Sequence, residues 1–306
     1  MRIGASIRSF YPPGNARDGA RGMIERAAAA RAAGLASLFV GDHHATPAPY
    51  FQNVPMLGRL LAEWGEAPAG ALFLLPLWDP VLLAEQIGTL ASLTPGRFIA
   101  QCCVGADPAQ FRAMGADPRK RGAEFEWRFE LLQRLLAGEA TPRSAGGAPI
   151  AIHPIPAEPV EYWIGAEAPV AIERAARLAD AWLPGPNVPL AEAAAQLDAY
   201  LEQCESHART PRSTPIRRNI HVAESAGDLE QRVRPALERA GPGVDPRCVI
   251  VGTIDEVAEG FAELAAAGFS DVIVRHFLDE PGAVLDSYGR LADVRKQIAG
   301  VGRART

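Results

Sequence analysis

The sequence has no window of about 18 uninterrupted apolar residues, the length a helix needs to cross a bilayer, which argues against a membrane protein. Its opening residues, MRIGASIRSFYPP, lack a charged segment followed by a long apolar run, so no secretory leader is expected and the cytoplasm is the expected compartment. Cysteine is scarce: Cys102, Cys103, Cys204 and Cys248 have neither CxxC spacing nor a histidine pair nearby. No zinc site, no other metal and no disulfide framework is therefore expected, and buried, unreactive thiols are the ordinary fate of such residues. There is no block of like charge, and a net charge of −5 without a stripe of Lys and Arg interleaved with aromatics argues against nucleic acid. A Gly-x-Gly-x-x-Gly run after a strand is also missing, which argues against a Rossmann site for NAD(P)H.

What is present is the composition of a soluble globular enzyme, 48% hydrophobic and 22% charged over 306 residues, without a low-complexity segment. Short β-like runs alternate with longer helical ones. The pattern predicts strands at 2–6, 38–41, 69–75, 97–104, 161–164, 181–183, 216–222 and 271–275. Helices are predicted at 22–33, 54–64, 80–93, 122–137, 169–179, 190–206, 228–240, 254–267 and 284–299, with Asp79 capping the third and Pro80 at its first position. Residues 138–159, rich in Pro and Gly, read as a connecting insertion, and 248–251 as a short apolar run between two helices. Eight β-then-α units without an internal linker favour a single (β/α)8 TIM-barrel domain over 1–306, with loop insertions at its C-terminal face.

The stretch LFVGDHH (38–44) stands out. Apolar strand residues end abruptly in Asp42, His43 and His44, and in a parallel barrel such strand ends open onto one shared catalytic face. In the loops after strands two and four, Tyr50, Phe51, Phe111 and Met114 have few fixed charges between them and are expected to line the rim. Arg275 and His276 leave the last strand and are candidates for holding the polar end of a substrate.

Five stretches carry a resemblance to a known family. They are GDHH, DPVLLAEQIGTLASLTPGRF (79–98), AMGADPRKRGAEFEW (113–127), YWIGAEAPVAIERAARLADAWL (162–183) and VGTIDEVAEGFAELAAAGFSDVIV near the C-terminus. In this order the chain resembles the bacterial luciferase-like monooxygenase superfamily. The resemblance implies a TIM-barrel oxidoreductase using reduced FMN with oxygen, or alternatively the cofactor F420, and a homodimer. It makes His43 the proton-handling group beside the reactive ring, with Asp42 and His44 next to it, a task suited to an imidazole whose pKa lies near neutrality. It places Arg121 and the Gly165–Ala166 turn at the cofactor phosphate, and the Leu72–Phe73 bond at a bulge under the ring, often a cis peptide in relatives. One departure matters. Relatives that oxidise sugar phosphates carry a catalytic glutamate where this chain has Ala106, with Asp107 the nearest substitute or an ordinary helix cap.

The sequence thus leads to a flavin-dependent monooxygenase acting on a medium-sized, partly apolar small molecule, supplied with reduced FMN by a separate flavin reductase. F420-dependent hydride transfer is the alternative. A non-catalytic binding protein on the same scaffold is the third reading, since fold does not fix function.

Overall fold

A computed structural model describes residues 1–241 and 243–303. Strands and helices alternate as β1 (Arg2–Ile7), α1 (Ala16–Ala32), β2 (Leu38–Val40), α2 (Asn53–Trp64), β3 (Ala69–Leu74), α3 (Pro80–Leu93), β4 (Phe98–Cys103), α4 (Pro108–Ala113) and α5 (Arg121–Leu136). A short ribbon follows, β5 (Thr141–Pro142) with β6 (Pro149–Ile150), then β7 (Glu161–Gly165), α6 (Pro169–Leu178), β8 (Ala181–Leu183), α7 (Leu190–Ser206) and β9 (Pro215–Val222). The remainder is α8 (Ala226–Asp228), a wider π turn at Leu229–Val233, α9 (Arg234–Glu238), β10 (Val249–Gly252), α10 (Ile254–Ala266), β11 (Asp271–His276) and α11 (Pro281–Arg303). The fold is α/β. The chain forms two compact units, one of Met1–Arg8, Arg21–Leu38 and Gly165–Thr306, the other of Ser9–Ala20 and Phe39–Ile164.

In the second unit β3, β4 and β7 pair in parallel, and the β3–β4 register runs from Ala69↔Phe98 to Leu74↔Cys103 without a slip. These strands are nearly all buried, as apolar runs covered on both faces must be. α3 starts on Asp79, whose carboxylate accepts the main-chain N–H groups of Val81 and Leu82 at 3.0 and 3.2 Å. Phe125 and Phe129 of α5 are fully buried and stack 5.5 Å apart, and Phe129 meets Tyr162 edge-on. In the first unit β10, β9, β11 and β1 pair in that order, all parallel. α10 opens with a capping box between Thr253 and Glu256, satisfying two N-terminal donors reciprocally.

Three expectations are corrected. α1 begins at Ala16 rather than near residue 22, because Asn15 accepts the N–H groups of Arg17 and Asp18 and so caps the earlier turn. Within 138–159 lies the antiparallel ribbon β5–β6. The apolar run at 248–251 is strand β10, which continues the ladder of β9. Among the described residues no helix is long and apolar enough to cross a membrane.

Close strand packing depends on Gly70. A Cβ at that position would be driven into the Ile99 carbonyl of its ladder partner, which is backbone and cannot move aside. Gly70→Ala is expected to destabilise the protein by about 3 kcal/mol or more, read from the denaturant midpoint at unchanged slope.

Candidate active site

The candidate site is built in the second unit, where β2 gives way to Gly41, Asp42, His43 and His44. Asp42 is buried, and its Oδ2 accepts two hydrogen bonds, from the main-chain N–H of Leu74 and from the indole Nε1–H of Trp78, both at 2.8 Å. Oδ1 lies 3.1 Å from His44 Nε2 but off the hydrogen-bonding line. His44 is buried and meets Trp78 edge-on at 5.3 Å. Asp42 thus ties the end of β2 to the end of β3. Its Oδ2 is committed to holding this turn, while Oδ1 is buried without a hydrogen-bond donor.

His43 is half-buried between two rings. Phe10 lies 5.8 Å and Tyr50 5.3 Å from it, centroid to centroid, and the two meet each other edge-on at 4.8 Å. The main chains of Phe10 and Tyr50 form an isolated antiparallel bridge that holds this arrangement. Gln110 Nε2 donates to His43 Nδ1 at 2.9 Å, while Gln110 Oε1 accepts the main-chain N–H of His44 at 3.1 Å. Gln52 Nε2 donates to the His43 carbonyl. Sequence reasoning missed Phe10 and Gln110. For Gln110 a signal existed: Asp107-Pro108 is a cap followed by proline at the first helical position, and the carboxylate of Asp107 accepts the Ala109 N–H at 2.8 Å to start α4.

Other candidates are distributed by strand alternation. Leu72 shares a sheet face with its ladder partner Gln101 and, beyond it, Trp163, whereas Phe73 points to the opposite face, fully buried against Trp78. The bulge expected at Leu72–Phe73 is replaced by an uninterrupted ladder, with the Leu72 carbonyl accepting Asn53 Nδ2 at 2.7 Å. Phe111 does not line a rim: it is 1% exposed, packed beneath Gly105, whose φ of +75° lets the chain turn over the ring. Arg121 sits at the start of α5, exposed, donating to the Pro118 carbonyl.

The remaining candidates lie in the first unit. The Ala166 N–H donates to Leu183 O and the Ala166 carbonyl accepts the Trp182 indole, so that amide joins the β7–α6 turn to β8 instead of serving a phosphate. Arg275 donates to Ser6 Oγ through Nε and Nη2. His276, the next residue, faces the other side of the strand. It is buried under α11, bonded to Ser287 Oγ at 2.8 Å and edge-on to Tyr288, and its burial holds the imidazole well below its ordinary pKa. That neutral, buried ring packs the helix and is withdrawn as a substrate contact. Among the described residues no three His, Cys, Asp or Glu side chains gather closely enough to hold a metal ion.

A family model for luciferase-like monooxygenases matches residues 1–243. The chain belongs to the luciferase-like monooxygenase family. Three solved structures share the luciferase-like fold. Monooxygenase RslO1 from Streptomyces bottropensis superimposes with a TM-score of 0.81 at 18% identity, covering 96% of this chain and 98% of that one. An F420-dependent secondary alcohol dehydrogenase gives 0.80 at 14%, with 96% and 98% covered. The oxygenating constituent of 3,6-diketocamphane monooxygenase from Pseudomonas putida, in complex with FMN, gives 0.77 at 16%, with 95% and 97% covered. In sequence, an F420-dependent glucose-6-phosphate dehydrogenase from Nakamurella multipartita is 28% identical over 193 residues, 58% of this chain and 56% of that protein. The chain spans about half the length, or less, of the first curated relatives it matches.

The turn at Asp42 has a direct test. Asp42→Ala leaves the Leu74 N–H and the Trp78 indole without their acceptor, at about 1–3 kcal/mol for each buried donor. Urea unfolding is expected to show a loss of about 2–4 kcal/mol.

Proposed function

We propose that this luciferase-like oxidoreductase is a monooxygenase working with reduced FMN on a (β/α)8 scaffold. The observation that carries the reading is His43, fixed at a strand end by Gln110 and walled by Phe10 and Tyr50. The donor set fits a flavin. Gln101 Nε2 is buried without a partner on the face that also carries Leu72, a donor suited to a ring carbonyl beside an apolar contact. When bound, reduced flavin supplies two electrons that, with oxygen, place one oxygen atom on an organic substrate and release the other as water.

The chain's own residues bind, orient and shield. Leu72 and Gln101 would hold the ring of the bound flavin, and Arg121, with its exposed guanidinium, would hold its phosphate. Phe10 and Tyr50 keep water from His43, which handles the proton at the reacting atoms. Asp42 and His44 hold the turn that aims it. With Phe111 in the core, the preference for a medium-sized, partly apolar substrate rests on Tyr50 and Phe10. A separate reductase supplies the reduced flavin, and the enzyme works as a homodimer in the cytoplasm.

F420-dependent hydride transfer is the second reading, favoured by the names of two of the relatives above. Against oxidation of a sugar phosphate stands the site's lack of a carboxylic acid at Ala106, and Asp107 is engaged as the cap of α4. Titration of the purified protein with reduced FMN and with reduced F420 decides between the two. Tighter binding of F420, with hydride transfer from its reduced form to a substrate, would replace the monooxygenase reading.

His43→Ala is expected to keep the fold and the cofactor affinity while turnover falls ~10²- to 10⁴-fold, the ordinary contribution of a positioned acid or base. Unchanged turnover removes His43 from the chemistry. Arg121→Ala is expected to weaken FMN binding several-fold while leaving riboflavin binding, which involves no phosphate, as it was. Equal losses for both would show that Arg121 does not contact the phosphate.

A further inference from the structure

We propose that Gln110 is a positioning residue that fixes His43 as a neutral imidazole protonated on Nε2, so that His43 serves as a hydrogen-bond donor through Nε2 rather than as a base there. The inference deepens the proposed function and rests on its placement of His43 at the reacting atoms.

The argument begins at the Gln110 amide, whose two ends are chemically different. Its oxygen is identified by what it meets: the main-chain N–H of His44, a group that can only donate, lies 3.1 Å away. The other end is therefore the NH2, and it faces His43 Nδ1 at 2.9 Å. An NH2 group cannot accept, so Nδ1 must, and in the neutral ring the proton resides on Nε2. Reversing the amide does not relieve the constraint. It would turn the NH2 onto the His44 N–H and leave two donors facing each other in a buried position. An unsatisfied buried donor is enough to disfavour that arrangement by about tenfold or more.

The local structure keeps the amide in place. Gln110 is 5% exposed and sits on α4, one turn after the Asp107 cap, and Asp107 Oδ2 stands 3.5 Å from the same NH2. The Gln52 bond to the His43 carbonyl and the Phe10 and Tyr50 rings restrain the imidazole from the other sides. A cation on this ring would put a second proton on Nδ1, against the Gln110 NH2. The same contact thus selects the tautomer and opposes protonation.

Nitrogen-15 NMR of the histidine rings tests this in the protein without cofactor, His43 being identified by the resonances lost in His43→Ala. In the wild type the neutral ring is expected to show protonated Nε2 over protonated Nδ1 by about tenfold or more. Gln110→Glu keeps the shape and the acceptor for the His44 N–H but presents a carboxylate oxygen to Nδ1. The ring proton is then expected on Nδ1, and the ring's titration to move up by about one pH unit or more relative to wild type. A merely structural role for Gln110 would move neither. A wild-type ring protonated on Nδ1, or a folded Gln110→Glu protein with the wild-type tautomer and titration, overturns the proposal. The wild-type spectrum alone suffices for this if the variant does not fold. Wild-type turnover in His43→Ala would instead overturn the proposed function, while the tautomer is read independently of activity.

Discussion

A buried carboxylate at the end of β2 is the constraint on which the candidate site depends. Burying a charge is costly unless it is hydrogen-bonded, and Asp42 accepts two N–H donors, one from the last residue of β3 and one from the turn that follows it. One is the main chain of Leu74, the other the indole of Trp78, so a single carboxylate oxygen fixes both the strand end and the side chain next to it. Trp78 passes the constraint on. Its carbonyl accepts Arg128 of α5, its ring meets Phe73 and His44 edge-on, and Arg128 in turn pairs with Glu124 at 2.8 Å. The direction in which His43 leaves β2 is set by groups none of which need touch a substrate.

Histidine is used in two ways in this chain, and the surroundings separate them. His221 and His276 of the first unit are buried with ring centroids 6.1 Å apart, and desolvation, helped by nearby arginines and, for His276, by His221, lowers both pKa values. For His221 the pKa falls to about 4. Such rings are polar packing elements at neutral pH. His43 differs because it is only half-buried and because a directional donor, rather than desolvation alone, addresses one of its nitrogens. That difference sets it apart from the two packed rings.

How much of this is legible in the sequence depends on the range of the interaction. The strands β2, β3 and β4 and the cap of α3 are local events, set by apolar runs and by an Asp-Pro pair, and they read out within a residue or two. The run LFVGDHH likewise announces its chemistry. What surrounds His43 is not local: Gln110 is 67 residues away and Phe10 belongs to a loop before α1. Neither position follows from periodicity, because a six-residue helix is too short to display one. Asp107 and Pro108 mark where such a helix begins, but the partner of its third residue is fixed only by tertiary folding.

Strand alternation explains the other misplacements, and it is a stronger rule than proximity in sequence. Leu72 and Phe73 are neighbours, yet one shares the face of Gln101 and the other packs on Trp78. Arg275 and His276 divide in the same way between Ser6 and the α11 residue Ser287. A pair of adjacent strand residues can therefore give at most one member to a site on one face of the sheet. The same rule makes a loop the suitable place for Asp42, His43 and His44. Beyond Val40 the chain is free of the two-residue repeat, so consecutive side chains can be aimed independently: a carboxylate at the neighbouring strand, one imidazole between two aromatic rings and the other against an indole. Three adjacent polar residues can then divide their roles between holding the turn and meeting the reactants, a division that a continuing strand would not permit.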